Sequence, residues 1–180
     1  MKQVFPLQPI SRGTFALLLG AAGTFLIPVI ALWCVPGAQG GGAIAATVVF
    51  LGLASLFAWF AVTQRRSAVI VTTRDVTLNI PIYGRRMALD RLIPDSLGKV
   101  TMKEPDRYRL TLRTNGLSVP GYQVGWFRTQ AAGRVLAAVS GNDLVVWQTR
   151  DDYGVVVSAQ DGDRLIEALR SRGTVPYESG

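Results

Sequence analysis

Few side chains in this 180-residue chain could do chemistry. The chain has no histidine, which removes Ser-His-Asp and Cys-His catalysis, histidine metal ligands and the usual physiological proton shuttle. Its single cysteine, Cys34, cannot form an internal disulfide or a cysteine metal cluster. We interpret Cys34 as a small apolar packing residue, with an intermolecular disulfide as the alternative. No enzymatic activity, cofactor or metal is therefore expected.

Three other patterns carry weak chemical signals. Asp151-Asp152 is an adjacent acidic pair, but neighbours in a hairpin turn are usually solvated and no third metal ligand is near in sequence. Gly116 and Gly121 lack the spacing of a phosphate-binding loop before a helix. Trp126-Phe127 and Trp147 lie in strand patterns, so we expect core roles, with an aromatic binding surface as the minor alternative.

Basic residues are the more suggestive polar group. Nineteen Lys and Arg stand against twelve acids, for a net charge of +7, and the excess lies mostly after Gln64. Such residues attract anionic headgroups by about 1 kcal/mol each when well placed, although a solvated face of a β domain explains them equally simply. No nucleic-acid partner is expected. The candidate contacts to lipid or to a protein partner are Arg65, Arg66, Arg85, Arg86 and Arg91.

The elements that hold these residues begin with an uncharged stretch. From Gly13 to Gln64 there is no Lys, Arg, Asp or Glu, and the stretch contains two apolar runs, Thr14–Val35 and Ala43–Thr63. Each run would span about 31–33 Å as a helix, which matches a bilayer core. Their Leu, Ile, Phe and Val residues favour insertion by about 3–7 kcal/mol per run. We predict a transmembrane hairpin over 14–63 (spans 14–35 and 43–63), after an N-terminal segment 1–13.

Two alternatives for the apolar runs are weaker. A cleaved signal peptide would have a shorter apolar core and a better cleavage site than Val35–Ala38. Buried helices of a soluble protein would carry a polar face, which neither run has. Basic residues flank the pair but not its Gly-rich turn, so the positive-inside rule places both termini in the cytoplasm. We therefore expect a multi-pass protein of the bacterial cytoplasmic membrane.

Small residues repeat at four-residue spacing along both predicted helices. Ala16, Gly20 and Thr24 do so in the first run, and Ala54 and Ala58 in the second. Such ridges let helices approach closely in lipid. Packing of the hairpin against itself is the favoured interpretation, and self-association or docking with another membrane protein is the alternative. No ionisable residue lies within either span, so no ion or proton pathway is indicated.

After Arg66 the pattern changes to short strands with turns. Two hairpins are predicted with most support, 122–129 with 134–140 and 143–148 with 154–158. Leu110 and Leu112 should share one strand face, and Asn115-Gly116 should mark a turn. The remaining expectations are strands at 68–72, 76–80, 81–89 (interrupted) and 100–102, a short helical or irregular connection at 90–96, and a charged turn at 103–107.

The last predicted element is an amphipathic helix. Ser158 to Asp161 resembles a capping box, and Leu165, Ile166 and Leu169 form one apolar stripe ending before Gly173. Seven or so strands and this helix describe an all-β barrel or sandwich capped by a C-terminal helix, over 67–171, with a disordered tail at 172–180.

Several of these segments resemble a known family. Gly121–Arg128 (GYQVGWFR), Gly133–Val139, Asp152–Ser158 and the closing Asp-x-x-x-Leu-Ile-x-x-Leu helix look like the bacterial pleckstrin-homology (PH) domains of small membrane proteins. The resemblance covers about Ser67–Ser171 and implies a PH-like fold, a bent seven-stranded sheet with a C-terminal helix. It implies no ligand, because a fold alone does not define a site.

Three functional hypotheses follow. The favoured one is a non-enzymatic, membrane-anchored PH-like interaction module on the cytoplasmic face, in contact with the lipid bilayer and with a protein partner or a second copy of itself. The alternative is a structural or accessory subunit of a larger membrane complex, recognised through its transmembrane helices. An enzyme or transporter is the third and has no supporting constellation.

Overall fold

The computed structural model describes residues 2–34, 40–101, 108–130 and 132–173. They divide into a helical unit, residues 11–65, and a β unit formed by the described residues before Ser11 and after Arg65. Most of the predicted Gly-rich turn, the charged turn at 103–107 and nearly all of the predicted tail lie outside the described residues.

The described part of the helical unit contains three α-helices. They are α1 (Arg12–Thr24), α2 (Leu26–Cys34) and α3 (Gly41–Thr63). The first predicted run is thus broken at Phe25, where a single helix was expected. Pro28 lies four residues after Thr24 and has no N–H to donate to its carbonyl, which favours a break there. The segments Arg12–Cys34 and Gly41–Arg66 are each long and apolar enough to cross a bilayer, by length and composition.

Aromatic and small residues pack the helical unit. α1 buries Thr14, Leu18 and Ala22 at four-residue spacing, and it packs against α3. The Phe25 ring at the break lies 6.5 Å from Phe50 and 5.6 Å from Phe57, measured between ring centroids. The break therefore carries an aromatic contact between the two apolar segments.

The first sheet of the β unit has four antiparallel strands in the order β1-β2-β3-β4. β1 is the N-terminal segment, which was not predicted to be a strand; its Phe5 is buried and pairs with Val69. The chain thus enters this sheet before the helical unit and re-enters it immediately afterwards. The strands are β1 (Gln3–Pro6), β2 (Ala68–Val71), β3 (Asp75–Asn79) and β4 (Arg85–Ala88).

The second sheet has six strands in the order β5-β9-β10-β8-β7-β6. Both predicted hairpins are confirmed, as β7 with β8 and β9 with β10. β10 also pairs in parallel with β8, so it lies between β8 and β9. The described strands form a sandwich-like arrangement and not a closed barrel. The strands are β5 (Leu92–Thr101), β6 (Leu110–Val119), β7 (Tyr122–Thr129), β8 (Arg134–Val139), β9 (Asp143–Thr149) and β10 (Gly154–Val157).

Ser158 stabilises the short connection between β8 and β9, which passes over the end of β10. Its buried hydroxyl accepts hydrogen bonds from the backbone N–H groups of Ser140 and Gly141, each 3.2 Å away. The predicted capping role of Ser158 is therefore wrong. Asp161 caps α4 (Gly162–Gly173) instead, since its carboxylate accepts from the N–H of Arg164 at 3.1 Å.

Three local expectations around β5 and β6 are also wrong. In the expected short helical or irregular connection at 90–96, Asp90 and Arg91 lie in a short 3₁₀-helix (Leu89–Arg91), but residues 92–96 belong to β5. Asn115 and Gly116 lie inside β6, and the turn falls at Pro120-Gly121. Leu112 is 59% exposed, because register shifts on both sides of it remove the simple alternation with Leu110.

The core of the β unit is assembled from both strands and helix. Trp147 is fully buried, and Phe127 packs in a cluster with Val135, Val146 and Val156. α4 packs against β5 and β9, with the predicted Leu165 and Leu169 buried and Ile166 half-buried. The Lys99 ammonium lies 3.0 Å from the Asp163 carboxylate, whose hydrogen bond and charge raise the pKa of Lys99.

Candidate interaction surface

Two of the predicted contact arginines have acidic partners within the β unit. The Arg86 guanidinium lies 2.5 Å from the Asp75 carboxylate, and that hydrogen bond and charge raise the pKa of Arg86. The Arg91 guanidinium lies 3.4 Å from Asp151. The arginines of both pairs are solvent-exposed, so water and salt screen the attraction and each pair stabilises the fold only weakly. They reduce the free positive charge that these two arginines offer to an anion.

The other predicted arginines are dispersed. Arg65 lies in the helical unit, with its guanidinium carbon 4.1 Å from the centroid of the Phe15 ring. Arg66 is exposed at the start of the β unit's second segment. Arg85 lies next to Arg86 on β4, but contacts different partners because successive strand residues point to opposite faces. The five arginines do not form one site.

Arg85 instead contacts two aromatic residues, Trp126 of β7 and Tyr153 at the end of the β9–β10 turn. Its guanidinium carbon lies 4.8 Å from the ring centroid of Tyr153 and 5.6 Å from that of Trp126. The two rings meet edge to face, 5.4 Å apart. Arg134 of β8 lies over the same indole, at 4.0 Å. Cation–π contacts of this kind are worth about 0.5–1 kcal/mol at exposed sites.

A third arginine completes what we call the arginine–aromatic cluster: Arg85, Trp126, Arg128, Arg134 and Tyr153. Arg128 follows Trp126 by two residues on β7, so the two share a face of the sheet. In the register of β7 and β8, Arg128 lies directly opposite Arg134. All three arginines are exposed, Trp126 is half-buried and Tyr153 is buried. Burial raises the pKa of Tyr153, while the charge of Arg85 opposes that shift.

Two similar turns bring Arg134 and Tyr153 together. The hydroxyl of Thr129 accepts from the N–H of Ala132, and the backbone N–H of Thr129 donates to Gly133, 2.9 Å in each case. At the β9–β10 turn, both the hydroxyl and the N–H of Thr149 donate to the carbonyl of Tyr153. The parallel pairing of β10 with β8 then places the two turn ends side by side.

The backbone position next to Trp126, at Gly125, is fixed by a close approach of β6 to β7. Gly125 has φ +118°, and a Cβ there would lie 2.4 Å from the Asn115 carbonyl oxygen. Only glycine allows this approach. The Tyr83 hydroxyl donates to the Asn115 side chain at 3.0 Å, which links the turn before β4 to β6. The Gly-Trp sequence therefore serves to position the indole.

Most of this cluster was not predicted from the sequence. Arg85 was among the predicted contacts, and an aromatic surface at Trp126 was only the minor alternative to a core role. Arg128 and Arg134 carried a usable signal, because the predicted hairpin of 122–129 with 134–140 already places them near its turn. No sequence signal pointed to Tyr153, since its position depends on the insertion of β10 beside β8.

The predicted small-residue ridge lies on the outside of the helical unit. Ala16, Gly20 and Thr24 are exposed, and a Cβ added at Gly20 would meet nothing within 4 Å. Ala54 is buried and Ala58 is half-buried. The second-run pair thus packs within the helical unit, and the first-run ridge does not.

A depression of about 580 Å³ at the β6–β7 turn offers a different chemistry. Its lining contains no charged side chain. The Gln123 amide nitrogen donates to the Ser118 hydroxyl at 3.3 Å. Among the described residues, no group of three acidic or cysteine side chains could hold a metal ion. The full lining is Ser118, Val119, Pro120, Gly121, Tyr122, Gln123, Val139, Ser140, Gly141 and Asn142.

Comparison with known proteins gives a match to one family model over part of the chain. Residues 95–173 match the model of the bacterial PH domain, which confirms the resemblance predicted from sequence. The matched segment runs from β5 to the end of α4 and includes the Trp126, Arg128, Arg134 and Tyr153 part of the cluster. β1 to β4, which carry Arg85, lie outside the match. No curated protein matches the chain. No solved structure matches it either.

Proposed function

We propose that this chain, which carries a bacterial PH domain over residues 95–173, is a non-enzymatic interaction module anchored in the cytoplasmic membrane by its helical unit. PH-like domains are generally recognition modules without catalysis. In this proposal the β unit recognises a partner, and the two apolar segments hold it at the inner face. The arginine–aromatic cluster is the recognition surface that the geometry favours.

The pairing of β1 with β2 is the observation that carries the anchoring part of the proposal. β1 precedes the first apolar segment and β2 follows the second, and their residues pair from Gln3 with Val71 to Pro6 with Ala68. A sheet cannot form across a bilayer, so two crossings are the simplest way to return the chain to its starting side. The basic residues that flank the segments favour the cytoplasmic side.

Cysteine labelling tests this topology. In a Cys34→Ser background, Gly40→Cys places a thiol before α3, where an added Cβ meets nothing within 4 Å. Thr73→Cys places one on the exposed β2–β3 turn. We expect a membrane-impermeant maleimide to label Gly40→Cys in intact spheroplasts, and to label Thr73→Cys only after permeabilisation. Labelling in the reverse order would contradict the orientation, and labelling of both in intact cells would contradict two crossings.

Affinity purification tests the recognition part. Full-length protein from gently solubilised membranes is compared with a variant lacking residues 67–180, both carrying the same tag. Loss of a partner with the truncation would support recognition by the β unit. Retention of the partner by the remaining chain would move recognition to the helices. Turnover of a substrate by the purified protein, abolished by substituting a defined polar cluster, would contradict the non-enzymatic assignment.

The second candidate is an accessory subunit recognised through its helices. The observation that favours it is the exposure of Ala16, Gly20 and Thr24, because an unpacked small-residue ridge suits close helix contact in lipid.

Enlarging the ridge tests this second candidate. We expect the triple change of Ala16, Gly20 and Thr24 to Leu to abolish co-purification with a membrane partner or a second copy, since Leu side chains would hold the helices apart. The matched control changes Ile27 and Ile30 to Leu. Both isoleucines are already large and exposed. Equal recovery of the partner with both variants would mean that the helices do not take part in recognition.

A further inference from the structure

The arginine–aromatic cluster has a charge arrangement that the isolated fold does not explain. Arg128 and Arg134 lie directly opposite each other on neighbouring strands, and like charges in that position destabilise a sheet. Among the described residues, none of Arg85, Arg128 and Arg134 is within ion-pair distance of a carboxylate. Arg86 and Arg91, close by in sequence to Arg85, both have such a partner.

The spacing of the charges limits what could bind them. Arg85 and Arg134 both lie within 6 Å of the Trp126 centroid, so their guanidinium carbons are at most about 10 Å apart. Cβ atoms of directly opposed residues such as Arg128 and Arg134 are about 5 Å apart. The positive charges of Arg128 and Arg134 thus lie side by side on the second sheet, and Arg85 of β4 brings a third charge within about 10 Å of Arg134. Alternate side chains of an extended peptide repeat every 6.8 Å or so, which matches this spread.

The uncharged groups of the cluster favour a protein over a single headgroup. Trp, Tyr and Arg are the residues most enriched at the energetic centres of protein interfaces. Leu112, 59% exposed, pairs with Arg128 in the β6–β7 register and adds an apolar contact beside the charges. Arginine binds carboxylates through two parallel hydrogen bonds, and stacking on an indole leaves the edge of the guanidinium free for them.

We infer that the arginine–aromatic cluster binds an extended acidic segment of a partner protein, with carboxylates at alternate positions bound by Arg85, Arg128 and Arg134. The inference rests on the proposed function and names the partner class of its recognition surface. The net charge of +7 would also speed the encounter with such a partner at low ionic strength.

Peptide binding to the full-length protein in neutral detergent micelles tests the inference. The probe is a fluorescent peptide that alternates Glu with Thr, and its counterpart has Gln at every Glu position. We expect the Glu peptide to bind at least about tenfold more tightly than the Gln peptide, because each bidentate pair is charge-assisted. The difference should shrink as salt is raised. Equal binding of the two peptides would overturn the inference.

Paired substitutions locate the binding. The Arg85→Gln, Arg134→Gln variant should lose about tenfold or more in affinity for the Glu peptide. The Arg74→Gln, Arg164→Gln control removes the same charge from the β2–β3 turn and from α4, and should change affinity by less than about threefold. Equal losses in the two variants would show general charge attraction and would overturn the site.

Arg128→Gln supplies a readout that a purely structural residue would not give. This change should weaken Glu-peptide binding and yet raise the melting temperature of the free protein, because it removes the opposed positive charges. A lower melting temperature with unchanged binding would contradict the inference.

Soluble dihexanoyl phosphatidylglycerol distinguishes a lipid site. If the Arg85→Gln, Arg134→Gln variant loses binding of this lipid while the Glu peptide never binds, the cluster is a headgroup site and the inference is wrong. A partner that the β unit still captures when both Arg85 and Arg134 are replaced by Gln would also overturn the inference, while leaving the proposed function intact.

Discussion

Replacing Gly125 with alanine is expected to destabilise the β unit by at least about 3 kcal/mol, enough to prevent β6 and β7 from pairing normally. The added Cβ would lie 2.4 Å from the Asn115 carbonyl oxygen and 2.6 Å from the Gly116 Cα. Both neighbours are backbone atoms and cannot rotate away. In addition, φ of +118° is a conformation that L side chains rarely adopt. Steric overlap and backbone strain therefore act together.

The matched control is Gly133→Ala in the next turn. Gly133 has φ +71°, but a Cβ there meets nothing within 4 Å, so only the left-handed backbone is penalised, by about 1–2 kcal/mol. Urea unfolding in detergent micelles, followed by tryptophan fluorescence, compares the two variants. Equal losses of stability at both sites would mean that the close approach of β6 to β7 contributes nothing beyond strain. We also expect Gly125→Ala to lose Glu-peptide binding, since Trp126 would shift.

The second large effect is expected at the N-terminal strand. Phe5→Ala should lower the free energy of unfolding of the β unit by about 3 kcal/mol, within the range for truncating a buried phenylalanine. Phe5 is 9% exposed and lies in β1, far from the other strands in sequence. Its neighbours tie the segment to the rest of the unit, because the Gln160 N–H donates to Pro6 and the Gln8 N–H donates to Ser158.

Val4→Ala is the control for the N-terminal strand. Val4 is 53% exposed and has the same strand pairing, so its loss should cost less than about 0.5 kcal/mol. Limited proteolysis of the two variants would show whether the effect is local or reaches α4. A neutral Phe5→Ala would mean that β1 is not needed for the stability of the β unit. In that case residues 67–180 alone should fold. The pairing of β1 with β2 predicts instead that they do not fold stably without β1.

Several elements could be predicted from the sequence because their signals are local. The two apolar segments are recognised from a sum of side-chain transfer free energies, which needs no knowledge of neighbours. The β7–β8 and β9–β10 hairpins follow from alternation and turn residues within about twenty positions. The buried stripe of Leu165 and Leu169 follows from helical periodicity.

Other predictions were wrong for identifiable physical reasons. Asn115-Gly116 has the composition of a turn, but Gly116 faces Gly125 across the sheet and the strand continues through it. Ser158 is a residue type that commonly caps helices, but its hydroxyl instead accepts hydrogen bonds from two N–H groups of the β8–β9 connection. In both cases a tertiary contact outweighs a local preference of about 1 kcal/mol.

The two apolar segments, the β7–β8 and β9–β10 hairpins, α4 and the resemblance to bacterial PH domains could all be recognised without the structure, because each depends on residues close together in the chain. The folded chain, by contrast, was needed to establish that β1 joins β2 across some sixty residues, and that β10 lies between β8 and β9. It alone brought Arg85 to Trp126 and Tyr153. Such contacts depend on which distant surfaces can be buried together, and local periodicity carries no record of that choice.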